Sequence, residues 1–256
     1  MKTRISAVMI TVLSALLFCT SARAADAPDV IEAFACNFVA GKNMSDLDKT
    51  VDFYQSQRSK MKSPAINKMR SVIWQPMRGR VPYDLIWLNT NISLSEWGAA
   101  TAALADTSAG QAVQARFDEV LVCDSSGIYT NEMLYRSEGG LATDDEYVIE
   151  SFRCKLNPGK TLADTDDAID TWRPMFAKAT ESAKTPAAVL RRLPVISATG
   201  FHLSYVVAWD DVESYANGNS AYRMDPNSAT ADAQFEQAHF CESALFSGKV
   251  VAPTVQ

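Results

Sequence analysis

Cys36 and Cys123 stand 87 residues apart, and so do Cys154 and Cys241. This equality constrains the chain more than any other feature of its sequence. Sliding the chain on itself by 118 residues, the distance from Cys36 to Cys154, lays Val30-Ile31-Glu32-Ala33-Phe34-Ala35-Cys36 on Val148-Ile149-Glu150-Ser151-Phe152-Arg153-Cys154 without a gap. At the same offset Gly41-Lys42 falls on Gly159-Lys160. Asp46, Asp48 and Asp52 fall on Asp164, Asp166 and Asp170, Trp97 meets Tyr215, and Phe117 meets Phe235. A fixed internal period of this kind marks a tandem duplication. Each copy is therefore read with the other as a second witness.

Val30 to Phe38 and Val148 to Leu156 are short apolar runs rich in β-branched and aromatic residues, which predicts strands. A glycine turn follows in each copy. Asn43 with Asp46, and Thr161 with Asp164, then place a capping residue three positions before an acid, a variant of the capping box that opens a helix. Pro174 is expected to kink the second copy's helix. Two further strands are predicted at Ser71 to Met77 and Tyr83 to Thr90, matched by Val189 to Ile196 and Phe201 to Trp209. A second helix runs from Leu94 to Leu104, and from Val212 onward, where Asn217-Gly218-Asn219 weakens it. Phe117 to Cys123 and Phe235 to Cys241 are read as closing strands.

The order is βαββαβ, the split-βαβ or ferredoxin-like unit, whose first and last strands are antiparallel neighbours. That adjacency selects, from the three pairings four cysteines allow, the one within each copy: Cys36 with Cys123 and Cys154 with Cys241. A four-stranded sheet with helices on one face must bury its other face. The expected fold is thus α+β, two tandem ferredoxin-like units packed sheet to sheet as an internal pseudo-dimeric α/β barrel.

The boundaries follow. Met1 to Ala24 carries Lys2 and Arg4, the apolar run Ile10 to Phe18 and the small-residue end Ser21-Ala22-Arg23-Ala24, the pattern of a secretory signal peptide. Units at 25–125 and 147–256 are joined by a linker at 126–146 that contains Gly139-Gly140. The fifth cysteine, Cys19, falls in the signal-peptide segment, and the four that remain in an exported chain imply an oxidising compartment, periplasmic or extracellular. No later stretch is long and apolar enough to span a bilayer, so no membrane insertion is expected. The 256 residues carry 24 basic and 30 acidic side chains, a net charge of −6, and so lack the basic footprint a phosphate backbone requires. Nucleic acid is not an expected partner, while a homo-oligomer is compatible with the composition.

The element order, the duplication and Cys154-Lys155-Leu156-Asn157-Pro158-Gly159-Lys160 together resemble the dimeric α/β-barrel superfamily, in particular its NIPSNAP-like and monooxygenase-like members. The first copy has Ala40 where the second has Pro158. Cys36-Asn37-Phe38 is also similar to the opening strand of a group of secreted bacterial proteins of unassigned role. The resemblance implies two sheets facing each other, and activities that range over cofactor-free monooxygenation, isomerisation, haem chemistry and plain ligand binding. A fold shared by so many activities does not choose among them.

The residues supply the candidates. Glu32 and Glu150 share a strand face with the Phe and Cys two and four positions on, where a carboxylate is either hydrogen-bonded or raised in pKa. His202 and His239, the only histidines, both lie in the second copy, opposite Asp84 and Leu121. A site specialised after duplication would leave such an asymmetry, so His202, His239 and Glu150 are the catalytic candidates. Trp74, Trp87, Tyr205 and Trp209 are the candidate lining of an apolar pocket. No third ligand stands at zinc spacing, and counting from Asp164 places Ile169 where a calcium loop needs glycine, so no metal and no cofactor are expected. Arg78 and Arg80 are read as solvated. The leading expectation is an exported protein binding a small apolar or aromatic molecule between its sheets. The alternatives are a monooxygenase- or isomerase-type enzyme using His202 or His239 with Glu150, and a structural or assembly protein without a ligand.

Overall fold

The computed structural model describes residues 30–91, 93–138, 146–197 and 200–253; the segment read as a signal peptide and Gly139-Gly140 lie outside them. The first half consists of β1 (Val30–Phe38), α1 (Met44–Arg58), α2 (Pro64–Lys68), β2 (Arg70–Arg78), β3 (Leu85–Asn91), α3 (Leu94–Asp106), α4 (Ser108–Asp118) and β4 (Leu121–Arg136). The second consists of β5 (Glu146–Leu156), α5 (Leu162–Ala183), β6 (Ala187–Ser197), β7 (Leu203–Trp209), α6 (Val212–Met224), α7 (Ser228–Ala238) and β8 (His239–Ala252). The capping boxes form at Asn43 with Asp46 and at Thr161 with Asp164. Asp164 accepts from the Thr161 backbone N–H and hydroxyl and from Lys160, which holds its pKa down to about 2. Helix α5 continues through Pro174.

Two sequence readings are corrected. Phe117 and Phe235 end helices α4 and α7, and the strands begin only at Leu121 and His239. Each half therefore carries an additional helix before its last strand. The larger correction concerns the sheets. Two ferredoxin-like sheets stacked face to face are not what the chain builds: its eight strands form one closed antiparallel barrel in the order β1-β3-β2-β8-β5-β7-β6-β4. The reason is strand length. β4 and β8 run for 16 and 14 residues, enough to pair with their own half along one edge and with the other half along the opposite edge. β4 pairs β1 and β6, while β8 pairs β5 and β2. Ser126 to Arg136, within the segment read as a linker, is part of β4.

Closure leaves two kinds of sheet surface. The inner face holds Ile31, Val72, Trp74, Leu88, Ile149, Val206 and Phe246 as one apolar cluster, as expected of eight strands whose interior is just wide enough for side chains to fill. The outer face carries the helices, over a cluster built on Leu47, Val51, Ile73 and Leu85 in the first half and one built on Ile169, Phe176, Tyr205 and Trp209 in the second. Both expected disulfides are present, and each joins residues directly opposite each other in the ladder. Loops of 87 residues place their effect on the unfolded chain at about 4 to 5 kcal/mol each as an upper figure.

Either half alone would expose two long ladder edges, at its second and fourth strands, together with the apolar inner face. Residues 25–137 expressed separately should therefore run as an associated or aggregated species in size-exclusion chromatography with light scattering. A well-folded monomer would contradict the dependence of each half on the other.

Candidate functional site

The two histidines do not meet. His202 is exposed at the start of β7, where its Nδ1 accepts the Leu156 backbone N–H at 2.9 Å and its own N–H reaches the Cys154 carbonyl. Asp84, its partner in the repeat, accepts the Phe38 N–H at 2.9 Å while its own N–H reaches the Cys36 carbonyl. The imidazole and the carboxylate thus perform one task, closing the end of the first strand of each half. His239 is buried beneath α7. Its ring nitrogens lie 3.3 Å from the Tyr205 hydroxyl and 3.1 Å from Cys241 Sγ, and its ring packs on Phe235. Burial lowers the His239 pKa and pushes that of Tyr205 up to about 12.

Glu150 faces the helices as well. Burial raises its pKa, and Arg223 on α6 opposes the shift. Around it the second half is aromatic: Trp172 stacks on Phe176, and Phe176 meets Trp209 edge on. Gly218, read as a weak point of α6, is required there because a Cβ would stand 2.2 Å from the Trp209 ring. Of the four aromatic candidates, Tyr205 and Trp209 belong to this layer, Trp87 lies under the helices of the first half, and Trp74 points into the barrel. They are thus divided among three clusters, and Trp74 is the one of the four that borders the cavity at the barrel mouth.

The matching layer of the first half differs chemically. Ser71, Asn89 and Asn91 occupy positions where the second half has Val189, Val207 and Trp209. Asn89 Oδ1 accepts from the Ser71 hydroxyl at 2.9 Å and from the Trp87 indole at 2.8 Å, and Asn89 Nδ2 points at Glu32 at 3.5 Å. Glu32 and Asn89 are opposite in the β1–β3 ladder, as are Ser71 and Asn89 in β2–β3. Burial raises the pKa of Glu32, against the nearby Trp97 indole and Asn89 amide, which favour the charged form. Several polar atoms here lack a well-formed hydrogen bond among the described residues: both amide atoms of Asn91, which is 2% exposed, the hydroxyl of Tyr54, also 2% exposed, which faces Ser71, and the Trp97 N–H, which faces Glu32. Buried polar atoms are rarely left so. The second half retains unpartnered atoms on Trp209, Thr185 and Gln234, but no amide at the matched strand positions. The sequence reading singled out Glu32 but not the asparagines; the repeat alignment already contained the signal, since polar residues in one copy stand opposite apolar ones in the other.

A third feature lies at the barrel mouth, a cavity of about 80 Å³ bordered by Trp74, Tyr129, Arg153, Arg192 and Phe201. Burial holds the Arg192 pKa down to about 10, which leaves the side chain cationic at neutral pH.

Metal and haem do not fit the second half. Cys154, His239 and Cys241 come together, but the two sulfurs are bound to each other and cannot act as thiolate ligands. For haem, His202 stands on an exposed turn, and both ring nitrogens of His239 face other groups while aromatic rings fill the layer beside it.

No family model matches the chain, and no curated protein matches it in sequence. Solved structures do match in three dimensions. The chlorite dismutase of Candidatus Nitrospira defluvii superposes with a TM-score of 0.54 at 10% identity, covering 89% of this chain and 93% of that one. A monooxygenase-like protein from Fusobacterium nucleatum gives 0.51 at 12% identity over 88% and 93% of the two chains. An anthrone oxidase-like protein gives 0.51 at 13% identity over 90% and 95%. At these identities the likeness shows the fold alone. What is shared with these chlorite dismutase-like and monooxygenase-like structures is the α/β-barrel architecture, here built by a single chain whose eight strands close into one barrel.

The two histidines should respond differently to substitution. His202→Asp, which installs the residue of the other copy, should melt close to the wild type, whereas His202→Ala should cost about 1 kcal/mol, the worth of one lost hydrogen bond. The His239 pKa is lowered in the folded state from its ordinary 6.5, so its contribution is present above that value and is lost as pH falls through the folded pKa. In urea titrations from pH 7.5 down to 5, His239→Leu should remove that part of the acid-side loss; equal pH slopes for variant and wild type would contradict it.

Proposed function

We propose that the polar layer of the first half is the reaction site of a cofactor-free enzyme of the monooxygenase type, acting on a small enolisable aromatic compound. The observation that carries this reading is the unpartnered Asn91 amide in the layer of a half-buried carboxyl group, on strand positions where Ser71, Asn89 and Asn91 stand opposite Val189, Val207 and Trp209 of the other copy. The monooxygenase-like and anthrone oxidase-like structural neighbours support the reaction class. The leader at Met1 to Ala24 and the two disulfides support a periplasmic or secreted location.

Glu32 is the base. A carboxylate with a raised pKa is better matched to removing a carbon-bound proton near neutral pH than an ordinary one. The Asn91 amide and the Trp97 N–H are the available donors for the oxygen of the resulting enolate, and fixed donors of this kind stabilise developing charge without reorganising. Trp87 and Tyr54 supply aromatic walls. The substrate enters beside α3, where Glu32 and Trp97 are only half-buried. An aromatic carbanion is electron-rich enough to reduce dioxygen. Conversion of a CH2 group to a carbonyl then takes up one oxygen atom and releases the other as water with the two displaced hydrogens.

Anthrone and β-tetralone serve as probes, followed by hydrogen exchange in heavy water for the proton-transfer step and by oxygen uptake for the whole reaction. Glu32→Gln should lower both rates by about 100-fold or more, and Asn91→Leu by about 10-fold or more, whereas Glu150→Gln should leave them unchanged. The wild-type rate should fall on the acid side with an inflection above the ordinary carboxylate value of 4.5, because the ionised form is the reactive one. Probe binding without exchange or uptake would make the layer a binding site only. Equal losses from Glu32→Gln and Glu150→Gln would remove the assignment.

A further inference from the structure

Three arginines among the described residues are less than a tenth exposed, Arg58, Arg191 and Arg192, and the terminal nitrogens of the first two are engaged by carbonyls or carboxylates, although Arg58 Nε has no partner. Arg58 donates to the carbonyls of Ile66, Asn67, Met69 and Pro253. Arg191, on the outer face of β6, pairs with Glu132 and Asp166. Arg192, the next residue and hence on the opposite face of the strand, projects into the barrel. Its Nε donates to Asn131 Oδ1 at 3.2 Å and its guanidinium lies 4.6 Å from the Trp74 ring, but no carboxylate pairs with it among the described residues. The titratable groups facing it are the phenols of Tyr147 and Tyr129. A buried charge without a counter-ion is costly unless something supplies one.

The cavity at the mouth lies directly against this group. Arg153 borders it too, paired with Glu242 at 3.4 Å in a half-exposed contact, and shares the Phe201 ring with Lys155. Ser151 and Ser204 add hydroxyls, and Ile86 and Leu88 an aliphatic wall. Cations outnumber acids at the rim, and the deepest cation has no partner. We propose that the barrel mouth is an anion site that takes a short aliphatic carboxylate, with Arg192 as the receptor of the carboxylate and Arg153 as the outer cation. A guanidinium fork matches a carboxylate in shape as well as charge, and a cavity of about 80 Å³ admits a short chain rather than a ring system. The site is separate from the layer around Glu32, which lies on the other side of the sheet, so the two assignments stand or fall independently.

The test uses sodium propionate and its neutral isostere propionamide, titrated calorimetrically into the mature protein at fixed ionic strength. Propionate should bind saturably at millimolar concentration or below and raise the melting temperature, while propionamide should bind at least about 10-fold more weakly. Arg192→Met, which keeps an apolar stem on Trp74, should lose about 10-fold or more of the propionate affinity, and Arg153→Gln about 3-fold. Absence of saturable binding to the folded wild type, equal binding of the amide, or undiminished affinity in Arg192→Met would each overturn the proposal. The comparison of propionate with propionamide requires no variant, so it decides the matter even if Arg192→Met does not fold.

Discussion

The two ladders that join the halves, β2 with β8 and β4 with β6, are the constraint from which the rest of the molecule follows. They remove every sheet edge and turn what would have been two bare apolar faces into one lumen. Inside it, residues at matched positions of the repeat are brought close to the axis that relates the copies. Trp74 and Arg192, 118 positions apart, stack on each other. At this matched pair one copy supplies a ring and the other a cation, and the charge of Arg192 is balanced differently from those of Arg58 and Arg191.

Outside the barrel the copies have kept the same frame and diverged in filling. Both have the disulfide between first and last strand, the capping box and the hydrogen-bond closure at the start of their third strand, supplied by Asp84 in one and His202 in the other. The second half packs its sheet under stacked and edge-on rings, which satisfy one another through area and quadrupole geometry. The first half places serine and asparagine side chains on the same strand positions and leaves some of their polar atoms unpaired. Such atoms lower stability unless water or a ligand meets them, which is why chemistry is assigned to that side and a structural role to the other.

The electrostatics follow this division. Burial raises both glutamates, but Glu150 is opposed by Arg223 within a layer of rings, while Glu32 is opposed only by neutral donors of the kind that could be shared with a bound molecule. His239 is buried as a neutral ring between a phenol and a disulfide sulfur, an environment that disfavours the imidazolium an acid–base cycle would require.

Much of this was legible in the residues themselves. The 118-residue offset determined the duplication, the disulfide pairs, the helix starts and the approximate limits of most strands, because those depend on local spacing and on neighbours in sequence. Even the polar-for-apolar exchange at Ser71, Asn89 and Asn91 was visible in the alignment of the copies, though the rarity of histidine drew the reading toward His202 and His239 instead. Only the tertiary structure decided that the sheets close into a barrel, because the partner of an edge strand is set by strand length and twist in three dimensions and leaves no local pattern. It also decided that His202 stands in for Asp84, and that Arg191 and Arg192, adjacent in sequence, face opposite sides of one strand into unlike surroundings, one among carboxylates and the other against a tryptophan in a closed lumen.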